Sequence, residues 1–290
     1  MRFGSRSSTL TLLQAIILGI TQGLTEFAPV SSSGHLILVP WLFGWHILDD
    51  PAFNKTFDVA LHLGTLIGAL IYFRKDVLRY AVAWFGSIKR RSVASVDEKI
   101  GWALVLGTIP GAIAGATFED VIQRKLGQPW IIAVMLTVFA AVLYFVDKLA
   151  KVDRTFDSIG PRTGLGLGVA QALALQPGVS RSGITITAGR LIGLDRESAA
   201  RISFLLSLPV IAGAGLYKAM DIVQDPSMLD GMGAQFVAGI VASAVSGFLV
   251  ISFLLSYLRK HNFGLFLWYR VGVTVLVFAL IATNVRSATI

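Results

Sequence analysis

Gln22-Gly23-Leu24-Thr25-Glu26-Phe27-Ala28-Pro29-Val30-Ser31-Ser32-Ser33-Gly34-His35 sets an amide, a carboxylate, three serines and an imidazole inside an otherwise apolar region. The apolar run before it, Leu10 to Ile20, is too short to cross a bilayer, which takes about 17–25 residues. Ionisable groups beside lipid-facing sequence are costly and mark functional sites. The turn formers Pro29 and Ser31–Ser33 predict two half-length helices joined by a polar bend. Non-helical backbone at that depth is tolerated only where protein or a wet cavity surrounds it.

The rest of the chain supplies the membrane. Of 290 residues, 54% are hydrophobic and only 14% charged, with a mean hydropathy of +0.71. A soluble domain carries about a quarter charged residues. The apolar surplus comes as long runs, so the predicted class is an all-α polytopic integral membrane protein. The net charge of +8 then belongs to loops facing anionic headgroups, and no nucleic acid is expected. With no cysteine, disulfides, thiolate metal sites and cysteine nucleophiles are excluded. Arg2 and Arg6 ahead of an apolar run imitate a signal peptide. Gln14, Gln22 and Glu26 interrupt that run without a small-residue cleavage pattern, so it is read as retained.

Six runs are long enough to span: Phe57–Phe73, Ile100–Phe118, Trp130–Val146, Ile202–Met220, Phe236–Leu258 and Phe263–Ile281. Two regions, Leu10–Leu48 and Leu165–Leu194, are apolar but broken. Lys and Arg crowd the loops 74–99 and 148–162 and follow the fifth span at Arg259 and Lys260, whereas 221–235 carries three Asp and no cation. The positive-inside rule therefore puts the basic loops in the cytoplasm and the acidic one outside. The first broken region enters from outside, the second from inside, and both termini are external, a placement that Arg2 and Arg6 fit poorly. Val77–Ile88 reads as an amphipathic helix lying on the inner interface.

The two broken regions are related. At an offset of 149, residues 18–34 fall on 167–183 with eight identities in 17 positions, among them Gln22/Gln171, Val30/Val179, Ser31/Ser180, Ser33/Ser182 and Gly34/Gly183. A four-residue deletion then aligns Phe57–Ala69 with Ile202–Ala214, keeping Leu61/Leu206, Leu63/Leu208, Gly68/Gly213 and Ala69/Ala214. The chain thus divides into repeat 1, about 10–150, and repeat 2, about 160–285, within one membrane domain. Each repeat holds one broken re-entrant hairpin and three spans. Three is odd, so the second copy is expected upside down, an inverted-topology repeat with its broken helices meeting near the midplane. Their N-termini present free N–H groups, a natural anion site.

The copies diverge where chemistry is expected. Glu26 meets Leu175, Ser32 meets Arg181, and His35 meets Ile184. A composite site would take carboxylate, hydroxyl and imidazole from the first hairpin. It would take a guanidinium with Ser180, Ser182 and Thr185 from the second, a set suited to phosphate. A carboxylate beside it suits a divalent cation. Blander roles exist for each. Glu26 could be a protonated structural acid, the serines could be helix caps, and Glu26 alone could satisfy Arg181. His35, three residues after Ser32, shares a helical face with it. Arg270, seven residues into the last span, reads as snorkelling to the inner surface. Lys55, Asp58 and His62 lie near the outer end of the first span, where Asp58 is a candidate helper.

Together, Gln22-Gly23-Leu24-Thr25-Glu26-Phe27, Pro29-Val30-Ser31-Ser32-Ser33-Gly34-His35 and Pro177-Gly178-Val179-Ser180-Arg181-Ser182-Gly183-x-Thr185 resemble the bacterial undecaprenyl-diphosphate phosphatase family, known for bacitracin resistance, over essentially the whole chain. The resemblance implies removal of the terminal phosphate of undecaprenyl diphosphate, which recycles the lipid carrier for cell-wall synthesis. It also implies Mg²⁺ or Ca²⁺ dependence and a site opening to the outer face of the bacterial cytoplasmic membrane. Carried over by position, Glu26, Ser32, His35 and Arg181 are the catalytic candidates. Ser31, Ser33, Ser180, Ser182 and Thr185 are substrate-binding candidates, and Glu26 with Gln22 would hold metal. The family's first acidic position is Gln22 here, so one possible metal carboxylate is missing. The expected partners are a prenyl diphosphate lipid and membrane lipids, with a homo-oligomer allowed. Ser32, His35 and metal-bound water all remain open as nucleophile. The rival function is a transporter or flippase of a phosphorylated lipid, because inverted repeats with broken helices are a transporter design. The Lys-x6-Arg-Pro pattern of acid-phosphatase-like lipid phosphatases is absent, which disfavours that group.

Overall fold

A computed structural model describes residues 10–224 and 231–290. Arg2, Arg6 and residues 225–230 of the acidic loop lie outside the described residues. The chain begins with two short helices. α1 (Leu12–Phe27) opens on a reciprocal cap: Thr11 Oγ1 accepts from Gln14 N at 3.2 Å, and Gln14 Oε1 accepts from Thr11 N at 2.9 Å. It stops at Ala28, which Pro29 holds extended (φ −63°, ψ 140°). α2 (Ser32–Phe43) follows and ends at Gly44, left-handed at φ +65°. At 1.5 Å per residue the two are roughly 24 and 18 Å long, short of a hydrocarbon core of about 30 Å. A second pair, α7 (Pro161–Ala172) and α8 (Arg181–Leu191), is joined through a 3₁₀ turn and Pro177-Gly178, with Gly178 at φ +98°.

Between and after these pairs run the long helices: α3 (Pro51–Tyr72), α4 (Arg74–Arg90), α5 (Val96–Leu126), α6 (Pro129–Leu149), α9 (Arg196–Gln224), α10 (Gly233–Leu258) and α11 (Gly264–Ala282). Five are long and apolar enough to span a membrane, with spans at 96–118, 129–149, 196–217, 233–258 and 264–282. The expected span Phe57–Phe73 covers most of α3 and its C-cap Phe73, and α3 forms a broken apolar pair with α4, bent from it by 84°. The expected interfacial segment Val77–Ile88 is the body of α4. Its exposed stripe of Leu78, Val82 and Phe85 is flanked by exposed Lys89 and Arg91. Arg79 to Asp97 (2.6 Å) and Trp102 Nε1 to Ser87 Oγ (2.9 Å) tie α4 to α5.

α9 is the central post: 61% of its span is buried, against 17–33% for the other four. Its Phe204 meets Phe27 of α1 edge-on, 5.3 Å between ring centroids. Elsewhere small residues let backbones touch, as expected where lipid removes the hydrophobic drive between helices. A Cβ on Gly19 of α1 would sit 2.4 Å from Gly239 O of α10, and one on Gly168 of α7 would sit 2.2 Å from Gly107 O of α5.

Candidate active site

The two bends meet in the interior. Ser31 and Ser180, the residues preceding α2 and α8, are both forced to positive φ (73° and 77°), a strain of about 1–3 kcal/mol for a residue with a side chain. Each offsets it by capping its helix: Ser31 Oγ accepts from Gly34 N at 3.3 Å, and Ser180 Oγ accepts from Gly183 N at 3.1 Å. The bends are also stitched together. Gly178 N donates to Ser31 Oγ at 3.0 Å, and Ser182 Oγ donates to Ala28 O at 3.0 Å. Ser33 Oγ lies 3.4 Å from Ser31 Oγ, and Ser182 Oγ lies 3.2 Å from Ser180 Oγ.

Arg270 of α11 closes this structure. Its side chain is wholly buried, and its Nη atoms reach Pro29 O (3.2 Å) in the first bend and Gly178 O (2.5 Å) and Val179 O (3.3 Å) in the second. The snorkelling read from its place in the span is therefore corrected. A guanidinium carries five donors in a planar fork, and here it neutralises carbonyls that the broken helices leave exposed.

Beside the stitched bends sits one carboxylate. Glu26, 5% exposed at the end of α1, accepts on Oε2 from Ser32 Oγ (2.5 Å) and Gln22 Nε2 (2.8 Å), and on Oε1 from Arg181 Nη2 (2.8 Å). Ser32 and Arg181, matched across the two hairpins, thus meet on the two oxygens of the same group. His62 of α3 adds Nε2 at 3.4 Å from Oε2, and its Nδ1 donates to the Asp58 carbonyl at 2.7 Å. The sequence placed His62 near the outer end of its span without a role. Its spacing to Glu26 crosses two helices and leaves no local signal.

Two polar atoms at this cluster are buried without a protein partner: Arg181 Nη1 and Gln22 Oε1. The first is a donor ready for an anion and the second a hard oxygen ready for a cation. No cluster of three or more His, Asp or Glu able to hold a metal occurs among the described residues. A Mg²⁺ or Ca²⁺ ion here would be held by Gln22 Oε1 and Glu26, whose two oxygens already accept from Ser32, Gln22 and Arg181, so it would take its remaining ligands from phosphate and water, the usual habit of Mg²⁺.

Other candidates face elsewhere. His35 donates from Nδ1 to Ser31 O at 2.7 Å and meets Tyr269 Oη through Nε2 at 2.9 Å, so the partner of Ser32 is Glu26 and not the imidazole. Thr185 is wholly buried and spends its hydroxyl on Arg181 O (2.8 Å) and Ser203 Oγ (2.5 Å), which steadies the backbone that carries Arg181.

Residues 15–276 match the family described as "Bacitracin resistance protein BacA". Among curated proteins the chain is similar to an undecaprenyl-diphosphatase of Desulforudis audaxviator, 48% identical over 92% of this chain and 98% of the relative. Another, from Moorella thermoacetica, is 44% identical over 93% and 98%. A third, from Pelobacter propionicus, is 41% identical over 96% and 100%.

Proposed function

The chain belongs to the bacitracin resistance protein family, and on that premise we propose that it hydrolyses undecaprenyl diphosphate to undecaprenyl phosphate and inorganic phosphate. This step returns the lipid carrier to cell-wall synthesis. The observation that carries the reading is the Ser32–Glu26–Arg181 cluster with its unpartnered Arg181 Nη1. It offers a nucleophile, a base in contact with it and a donor for phosphate oxygens.

In the mechanism, Arg181 and the N-terminal N–H groups of α2 and α8 hold the diphosphate. Ser32 Oγ attacks the terminal phosphorus while Glu26 Oε2 takes its proton, across a separation of 2.5 Å. The bond to the bridging oxygen breaks, and undecaprenyl phosphate leaves. Glu26 hands that proton to the departing bridging oxygen. Water then attacks the phosphoserine phosphorus as Glu26 takes its proton, the P–Oγ bond breaks, and Ser32 Oγ recovers the proton as phosphate departs. A Mg²⁺ or Ca²⁺ ion held by Glu26 and Gln22 supplies charge neutralisation at the phosphates when bound. Phosphoryl transfer is chiefly positioning and charge stabilisation, which a buried guanidinium and two helix ends provide.

The proposed setting is the cytoplasmic membrane, with the site open to its outer face, in an inverted-topology repeat. The packing that supports the repeat is reciprocal. α1 lies on α10 through Gly19 while its counterpart α7 lies on α5 through Gly168, the same position 149 residues on. The serine caps at φ 73° and 77° match as well.

Purified protein in detergent, with no membrane present, should release phosphate from undecaprenyl diphosphate in a Mg²⁺- or Ca²⁺-dependent way. Arg181→Ala should cost about 10³-fold in kcat/KM, the scale of an arginine in phosphoryl transfer, and Glu26→Gln should act similarly. A phosphoserine trapped at Ser32 supports the nucleophile assigned to it. Phosphate release undiminished in Ser32→Ala removes that assignment, and no release by any variant in detergent favours a transporter.

A further inference from the structure

α11 contributes more than Arg270. Its neighbour Tyr269 reaches the imidazole of His35 from the opposite end of the chain, with Oη 2.9 Å from Nε2. The two rings lie nearly parallel, 14° apart, with centroids 5.6 Å apart. The ring's other nitrogen, Nδ1, is 2.7 Å from Ser31 O. A backbone carbonyl only accepts, so Nδ1 must carry the hydrogen in that contact. In a neutral imidazole this is the ring's single N–H. Nε2 is then a lone pair, and the Tyr269 hydroxyl is its donor. Both ends of the ring are accounted for, and the ring is held between a helix cap and a tyrosine.

The cap so held is one of the two strained ones. Ser31 sits at φ 73° directly before Ser32, and its carbonyl is the atom His35 secures. A ring free to take the other tautomer would set a lone pair against that carbonyl and push it away. We propose that Tyr269 is a positioning residue: its hydroxyl fixes His35 as the Nδ1–H tautomer, and the Nδ1–H···O=C bond to Ser31 holds Ser32 Oγ on Glu26. This rests on the hydrolytic reading of the Ser32–Glu26 pair. It gives His35 a structural task that its helical spacing to Ser32 does not reveal.

Tyr269 is 45% exposed, so Tyr269→Phe removes one oxygen at a lightly packed place and should leave the fold intact. The test uses the full chain labelled with ¹⁵N at its four histidines, the His35 signals being identified by their loss in His35→Gln. Wild type should show His35 with a protonated Nδ1 and an unprotonated Nε2. In Tyr269→Phe those signals should move toward the Nε2–H form or an average of the two. Turnover of undecaprenyl diphosphate should fall about tenfold in kcat with KM within about twofold, the scale of one lost hydrogen bond acting on alignment. In the His35→Gln background the tyrosine change should add nothing, because the two act as one unit. The proposal is overturned if wild type shows the Nε2–H form, if the spectrum of Tyr269→Phe is unchanged, or if the two losses multiply. The nuclear resonance arm needs no substrate. A protein that hydrolyses nothing would therefore sink the hydrolytic reading while still testing the tautomer.

Discussion

Arg270 is the residue on which the two bends depend. Its side chain is fully buried, its Nη atoms bind carbonyls of both bends, and its Nε has no partner. Removing it leaves Pro29 O and Gly178 O unpaired in the interior, and each unpaired buried group costs about 1–3 kcal/mol. Arg270→Met should therefore lower stability by several kcal/mol, read as a fall in thermal midpoint in detergent, and should abolish turnover without altering any atom of the Ser32–Glu26 pair. Arg270→Lys should recover little, since one ammonium cannot span both bends. A midpoint unchanged in Arg270→Met would refute this role. The sequence displays Glu26, Ser32 and Arg181 because each is a polar residue in an apolar run, where membership of a site is the economical explanation. It hides Arg270 because position in a span cannot say whether a long side chain turns inward or reaches the interface. It hides Tyr269 and His62 because an aromatic or a lone histidine near a span end has an ordinary interfacial reading.

At the level of elements, the broken hairpins stand out in the sequence: Pro29 and Pro177-Gly178 mark the bends, and the half-length helices follow. The long helices outrun their hydropathy windows. α5 starts at Val96, ahead of the expected Ile100, and α9 at Arg196, ahead of Ile202. Their first turns carry Asp97, Glu98 and Glu197, which favour a helix N-terminus but lower the apolar average. What no window reports is which helices touch. Gly19 and Gly168 decide that by letting α1 lie on α10 and α7 on α5 at backbone distance. Neither contact leaves room for a side chain. Gly19→Leu and Gly168→Leu should each cost about 1–3 kcal/mol through overpacking and should displace the hairpin that the helix carries. Both should lower activity and thermal midpoint, whereas Gly166→Leu, at a position with open space around it, should change neither. If Gly19→Leu matches wild type in both measurements, the close α1–α10 contact is not what holds the first hairpin.

The whole molecule is organised by charge as well as packing. Cations gather on α4, on the loop after α6 and after α10, while the α2–α3 connection carries Asp49 and Asp50 and, apart from His46, which meets Asp49 through Nδ1, no basic group. With basic loops inside, the proposed topology puts the α2–α3 connection and the C-terminus outside, as an inverted repeat with an odd number of crossings in each half requires. The absence of cysteine makes this arrangement directly measurable, because any introduced thiol is the only one. His46, Ser92, Lys151 and Thr289 are all exposed, so each accepts a cysteine without disturbing the interior. In intact cells, a membrane-impermeant thiol reagent should label His46→Cys and Thr289→Cys and spare Ser92→Cys and Lys151→Cys until the membrane is opened. Labelling of His46→Cys and Lys151→Cys from the same side would put both hairpins on one face. The two serine caps could not then approach each other from opposite leaflets, and the inverted arrangement would fall even with the Ser32–Glu26–Arg181 cluster intact.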